Sequence, residues 1–351
     1  MQKENFTVQT DKNTDTNAAG RKKDHIELAF ASQKNSSGAD PRFYYEPVLS
    51  GHPDKAVLPE FKIAGKLMKA PLWISSMTGG TEKAARINQH LAMACREFGL
   101  GMGLGSTRSL LYSNERFDDF NLRPLIGTEQ ALLINLGIAQ VEQLLTENET
   151  YRIDALLEKL DADGLIIHVN PLQEWLQPEG DHIAEAPIKT IKALLEKADY
   201  PIIVKEVGQG MGKESLRALL QLPIEAIDFA AHGGTNFSKV ELLRKKIGEQ
   251  AELFEPLVSV GHSAEDMLQM CSELTHELGS KRKCAKLIIS GGVKDFLDGY
   301  YFVHKSPLPA VYGQGSALLK YAQEDNYEPL QAFVKQQMDA YKVATAFLKV
   351  K

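Results

Sequence analysis

Cysteine is scarce: the 351-residue chain has three, Cys95, Cys271 and Cys284, with no Cys-x-x-Cys spacing. An odd and scattered set excludes a disulfide framework and a structural zinc site, and suits ordinary thiols in a reducing compartment. Long apolar runs are also missing. None approaches the roughly 18 residues that a bilayer span needs, and the first residues contain no apolar signal-peptide core, so a cytoplasmic protein with no membrane association is expected. The formal net charge of -6 is spread without a long block of one sign, which removes the electrostatic case for nucleic acid as a partner. Residues 1–20 hold little large apolar surface besides Phe6 and Val8, so this arm is expected to stay flexible and disordered.

What remains is a soluble globular composition, with 43% apolar and 25% charged residues. The length suits one large α/β barrel or two ordinary domains. From residue 70 onward a short apolar run, a small or polar cluster and a stretch with helical spacing recur. Eight such runs are Pro71 to Met77, Gly99 to Gly105, Ala131 to Leu136, Gly164 to His168, Pro201 to Val207, Ala226 to Ala231, Pro256 to Val260 and Lys286 to Ile289. Between them, apolar residues fall three and four apart, as at Ile87, Leu91 and Ala94 or Ile188, Ile191 and Leu195. The pattern predicts an α/β fold, a single (β/α)8 TIM barrel over residues 21–351, rather than an open doubly wound sheet. Polar residues end nearly every run, whereas an open sheet gathers them at one switch point. Residues 329–350 have helical spacing at Leu330, Val334, Met338, Tyr341, Ala344 and Leu348, and are expected to pack on the barrel as a C-terminal helix.

The run ends carry the chemistry. After Leu165-Ile166-Ile167 the chain presents His168, Asn170, Gln173 and Glu174 within seven residues, with Pro171 stopping the strand. A capped strand end with a polar turn is the plainer account of the same seven residues. Lys205 ends another apolar run, where an ammonium is costly to desolvate unless an anion or an electron-rich ring meets it; a Schiff-base lysine is the rival reading. Glycine at every second position from Gly99 to Gly105 either lets something bulky lie against one face or serves tight packing inside a barrel. The glycine turns at Gly233-Gly234, Gly291-Gly292 and Gly313 to Gly315 feed helix starts late in the chain, the usual place for a phosphate nest. Arg21-Lys22-Lys23 is either a solvated helix start or an anion clamp.

Taken in order, these motifs resemble the type 2, FMN-dependent isopentenyl-diphosphate isomerases. The carriers are Arg21-Lys22-Lys23-Asp24-His25, Ser76-Met77-Thr78-Gly79-Gly80, Gly105-Ser106-Thr107-Arg108, Asn135-Leu136-Gly137, His168 to Glu174, Val204 to Gly208, Gly233 to Phe237 and Ser290-Gly291-Gly292. The resemblance implies FMN across the barrel mouth, contacted by Ser76, Met77, Thr78, Ser106, Asn135, Lys205 and Thr235. Its phosphate would lie near Gly292, Val293, Lys294, Gly313 and Gln314. By the same likeness Arg21, Lys22, Ser106 and Arg108 would hold a small-molecule diphosphate substrate, with His168 and Asn170 beside it. Glu174 would hold Mg2+, and Gln173 would face the reacting carbons as the catalytic residue. A homo-oligomer, tetramer or octamer, is implied as well. The chain departs from the family pattern at Gly210-Met211-Gly212, at Ser259 to Ser263, at Lys294 where the family carries arginine, and before Gly313.

The implied reaction is the interconversion of isopentenyl and dimethylallyl diphosphate in isoprenoid biosynthesis. Shifting the double bond of an unactivated alkene requires protonating carbon, and the neutral amide of Gln173 is too weak an acid to do that unaided. Reduced FMN is the expected acid and base, NADPH serving to reduce it, while Gln173 orients the substrate or relays the second proton. The competing readings are another FMN barrel enzyme, of the 2-hydroxy-acid oxidase or dehydrogenase type, and a non-catalytic barrel that binds a phosphorylated ligand.

Overall fold

Eight parallel strands close into a barrel in the computed structural model, which describes residues 17–53, 57–76, 81–244 and 251–351. The chain divides into two units, Met1–Phe43 and Tyr44–Lys351. In the first, Ala18–Leu28 forms a largely exposed helix, which begins inside the stretch expected to be a disordered arm.

The second unit contains β1 (Leu72–Ile74), β2 (Gly101–Gly103), β3 (Leu132–Gly137), β4 (Gly164–His168), β5 (Ile202–Lys205), β6 (Ala226–Asp228), β7 (Leu287–Ser290) and β8 (Ala310–Gln314). Neighbours pair in that order and β8 closes on β1, with Gln314 opposite Ile74. Runs such as Leu132-Leu133-Ile134 and Leu165-Ile166-Ile167 are fully buried because one face meets the barrel interior and the other the surrounding helices. A hairpin, Phe61–Ile63 against Lys66–Met68, turns through Ala64 and Gly65, both at positive φ. Phe61, Ile63 and Met68 join Trp73, Leu133, Ile166, Ile203, Ile288 and Val311 in one interior cluster. Ala64 N–H bonds Glu225, just before β6, and Lys66 pairs with Asp163, just before β4. The hairpin therefore seals the end where strands begin and leaves their C-terminal ends for function.

The glycines of β2 serve packing. A Cβ at Gly101 would come 2.5 Å from the Trp73 indole, and one at Gly103 would come 2.3 Å from Ile166 Cδ1 and 2.5 Å from Ser76 Oγ. Trp73 fills the space a side chain at Gly101 would occupy, and Ile166 and Ser76 fill it at Gly103.

One expected strand is a helix. Pro256 to Val260 lies at the end of the helix Ala251–Val258, where Phe254 and Val258, four apart, pack on Leu176 and Leu242. That spacing suits a helix face, and Val260 stays exposed. The eighth strand is instead Ala310–Gln314, which the sequence disguised as a glycine turn. Its Tyr312 is fully buried on the helix Phe296–Lys305, where a Cβ at Gly299 would sit 2.7 Å from the Tyr312 ring.

The C-terminal helix, Glu328–Phe347, buries Leu330, Val334, Met338, Tyr341 and Ala344 against the barrel's helices, while Leu348 begins a short strand. Cys95, Cys271 and Cys284 are buried and unpaired, and burial pushes the Cys271 thiol up to about 12 and the Cys284 thiol to about 11. Among the described residues no helix is long and apolar enough to cross a membrane.

Candidate active site

Strand register brings three ionisable groups to adjacent strand ends, with His168 of β4 opposite Lys205 of β5 and Lys205 opposite Asp228 of β6. Lys205 is 7% exposed, and its ammonium donates to the Glu206 carbonyl at 2.7 Å. Glu206 then closes the turn by accepting N–H bonds from Gly208, Gln209 and Gly210 at 2.7, 2.6 and 2.9 Å; burial still pushes its carboxyl above the usual range. Asp228 is fully buried. One oxygen accepts from Ser290 Oγ and the other has no partner among the described residues, while burial pushes its carboxyl up against the opposing pull of Lys205.

His168 meets Asn135 through a 2.8 Å bond between Nδ1 and Oδ1. Asn135 spends an amide hydrogen on the Leu104 carbonyl at 3.0 Å, so its Oδ1 is the acceptor and His168 Nδ1 carries the proton. Nε2 is then a bare acceptor. Burial and the neighbouring Lys205 hold the imidazole pKa down at about 4, so His168 is neutral near pH 7 and meets a ligand as a dipole rather than a cation.

The helix Pro171–Leu176 starts immediately after β4, Pro171 taking a first-turn position whose N–H needs no partner. Its single turn holds Gln173 and Glu174, both bonded by Asn170 Nδ2, at 3.2 Å to Gln173 Oε1 and 2.8 Å to Glu174 Oε1. Asn170 Oδ1 remains buried without a partner among the described residues. Gln173 Nε2 donates to Glu241 Oε1 at 3.3 Å, and the buried Glu241 is held by Arg244 at 2.6 Å. Sequence reasoning missed Glu241; its signal was a carboxylate one helical turn beyond the Gly233 to Phe237 motif. Arg108 forms a fork with Asp181, which was also missed.

The opposite side of the mouth is made of backbone. Gly291 and Gly292 have φ of 88° and 74°, and a Cβ at Gly234 would lie 3.1 Å from Gly292 N, so the turns after β6 and β7 touch main chain to main chain. Ala230 holds a left-handed φ of 40°, braced by a 2.8 Å bond from its N–H to Ser290 Oγ. A Cβ at Gly313 would strike Ser75 Oγ at 2.7 Å. Ser75 Oγ and Ser76 Oγ are buried without partners among the described residues. The helix Phe296–Lys305 departs from expectation: Asp295 caps its first turn and Asp298 takes the Lys294 N–H at 3.0 Å. Here the glycine turns, rather than the helix end, remain for an anion.

Two adjoining hollows result. Ser76, Ser106, Asn135, His168, Gln173 and Lys205 line one; Ser76, Lys205, Thr235, Gly292, Val293, Gly313 and Gln314 line the other, with Val207 and Phe237 common to both. Arg108, Asn170, Glu174 and Lys294 line neither. Met77 and Thr78 fall outside the described residues, and Arg21 and Lys22 belong to the unit ending at Phe43. No group of three or more metal-ligating side chains occurs among the described residues.

No protein-family model matches the chain. It is 34% identical over 306 residues to a protein of Rickettsia typhi named isopentenyl-diphosphate delta-isomerase, covering 86% of this chain and 85% of that one. A protein of the same name from Rickettsia canadensis is 33% identical over 323 residues, 90% of each chain. Among solved structures, the flavin-binding domain of baker's yeast flavocytochrome b2 aligns with a TM-score of 0.59 at 13% identity, over 87% of this chain and 72% of that one. A mandelate oxidase variant with a monooxide FMN adduct aligns at 0.53 and 12% identity, over 88% of both. At such identity these two share the fold.

Proposed function

The chain belongs to the isopentenyl-diphosphate delta-isomerase family, and from that premise we propose that it interconverts isopentenyl and dimethylallyl diphosphate, with FMN across the barrel mouth and Mg2+ on the substrate diphosphate. The observation that carries this reading is the meeting of Gln173 and Lys205 on one hollow, continuous through Ser76 and Lys205 with a second hollow walled by glycine turns. Buried hydroxyls on Ser75 and Ser76 lack partners among the described residues, and Gly313 lets Ser75 and Ser290 close up against the backbone beside the glycine turns. Those features fit a flat, hydrogen-bonding, phosphate-bearing cofactor. Reduced FMN would supply the acid and base that the neutral amide of Gln173 is too weak to provide; the reaction has no net redox change, so NADPH is needed only for reduction.

The protein's own groups bind and orient. Lys205 sets a positive charge beside the cofactor, Thr235 and the Gly292 and Gly313 turns accept its far end, and Arg108, Ser106 and His168 hold substrate. Gln173 keeps its amide against the reacting carbons through Glu241. Glu174 offers one carboxylate to Mg2+, which takes its remaining oxygens from diphosphate and water. Cytoplasmic isoprenoid synthesis in a homo-oligomer completes the reading. The oxidase alternative needs a histidine base and an arginine for a substrate carboxylate; His168, with its pKa down at about 4, is a weak base, and no arginine lines the hollow among the described residues.

A purified protein that is yellow, or becomes so with FMN, and converts isopentenyl diphosphate only after anaerobic reduction is the expected result. A protein that cannot take up FMN, or one that oxidises 2-hydroxy acids without isomerising, would overturn the proposal.

A further inference from the structure

We propose that Asp181 is a positioning residue that presents the Arg108 guanidinium to the substrate diphosphate while its backbone fixes Glu174. This rests on the reading of Arg108 as a diphosphate contact. Asp181 lies midway along the loop that follows the helix Pro171–Leu176, and Gly180 lets that loop lie flat on the helix. Gly180 N–H bonds Gln177 O at 3.0 Å, and a Cβ at Gly180 would fall 1.9 Å from the Glu174 carbonyl oxygen. The close approach delivers Asp181 N–H to Glu174 Oε2 at 2.7 Å.

The Asp181 carboxylate is anchored independently of the arginine. Its Oδ2 accepts from Gln140 Nε2 at 2.7 Å, and Gln140, itself buried, accepts the Gly137 N–H at the end of β3 at 2.9 Å. Arg108 is 52% exposed and lies against this fixed acid by both Nη atoms, one to each oxygen. A fixed partner orients a mobile one. The fork uses two of five guanidinium hydrogens, leaving three for phosphate oxygens. An ion pair this exposed adds little to folding, so its worth lies in holding a long side chain in one direction.

The test is calorimetric titration of inorganic diphosphate with Mg2+ into FMN-loaded protein, with FMN affinity measured in parallel. Arg108→Ala should weaken diphosphate binding, and Asp181→Asn should weaken it by about tenfold with FMN affinity unchanged. The double variant should bind no worse than Arg108→Ala alone, and Asp181→Asn should raise KM more than it lowers kcat. Asp181→Ser serves if the asparagine variant misfolds. Additive losses, or diphosphate bound as tightly without the Asp181 carboxylate, overturn the role of Asp181 while the function stands. Unchanged binding by Arg108→Ala overturns the diphosphate assignment on which it rests.

Discussion

Between β2 and β4 the barrel mouth is built from side chains that hold one another, whereas between β6 and β8 it is built from main chain. On the first wall Asn135 fixes His168, Asn170 fixes Gln173 and Glu174, and Asp181 fixes Arg108. On the second, Gly234 meets Gly292, and Gly313 makes room beside Ser75. The first arrangement chooses atoms and directions and suits a reacting substrate. The second supplies a shaped surface of amides and suits a phosphate group. Lys205, common to both hollows, is where the two meet.

The sharpest break of the first wall is Gln173→Ala. Turnover should fall by about three orders of magnitude while FMN binding and fold persist, because one positioned amide is lost. An anaerobic assay of dimethylallyl diphosphate reads the effect, and an active variant removes Gln173 from the mechanism. Its counterpart on the second wall is Gly291→Ala. With φ at 88° and a Cβ 2.1 Å from Ala231 O, it forces backbone to move and should cost about 3 kcal/mol of stability, together with FMN retention. Urea unfolding and the flavin absorbance of the purified protein check both; a variant as stable and as yellow as the parent would show that the turn is not a close contact.

The two walls also differed in how readily the sequence disclosed them. His168 to Glu174 could be found by residue type, since chemistry at a strand end needs side chains and those are visible letters. Glu241 and Asp181 could not, because each acts through a residue brought near only by folding: Gln173 for one, Arg108 for the other. On the second wall glycine spacing disclosed the turns but hid the strand between them, so Ala310–Gln314 passed for a loop. Pro256 to Val260 gained strand character from consecutive apolar letters whose burial follows a helix face. The eight-fold barrel survived both errors because seven other runs were correct.

A milder perturbation tests the junction of the walls. His168 is held at about pKa 4 partly by Lys205, so Lys205→Met should move the imidazole titration upward, as followed by NMR. The sign for stability follows. The folded pKa lies below the unfolded value of about 6.5, so at higher pH neither state binds the proton and His168 contributes no slope. As pH falls from there toward 4 only the unfolded chain is protonated, and stability is lost. His168→Gln should flatten that acid-side loss and leave the slope between pH 7 and 8 unchanged. An imidazole that titrates near 6.5 in the parent protein contradicts the neutral assignment.

The smallest expected effect comes from behind the second wall. Gln337 sits on the C-terminal helix, 5% exposed, and donates its amide to Gln314 Oε1 at 2.7 Å. That bond decides which end of the Gln314 amide is the acceptor, so Nε2 points its hydrogens toward Val293 O, 3.5 Å away, and the hollow that Gln314 lines. Gln337→Leu keeps most of the buried volume but lets the Gln314 amide flip, presenting an oxygen to the phosphate for part of the time. The expected loss is about 1 kcal/mol in FMN affinity, the worth of one ordinary hydrogen bond, measured by flavin fluorescence during titration of the apoprotein. Gln337→Glu separates orientation from packing. A carboxylate can only accept, so Gln314 must reverse, and FMN should bind more weakly than in Gln337→Leu. Equal affinities in the two variants would mean that the helix contributes packing to the second wall and no direction.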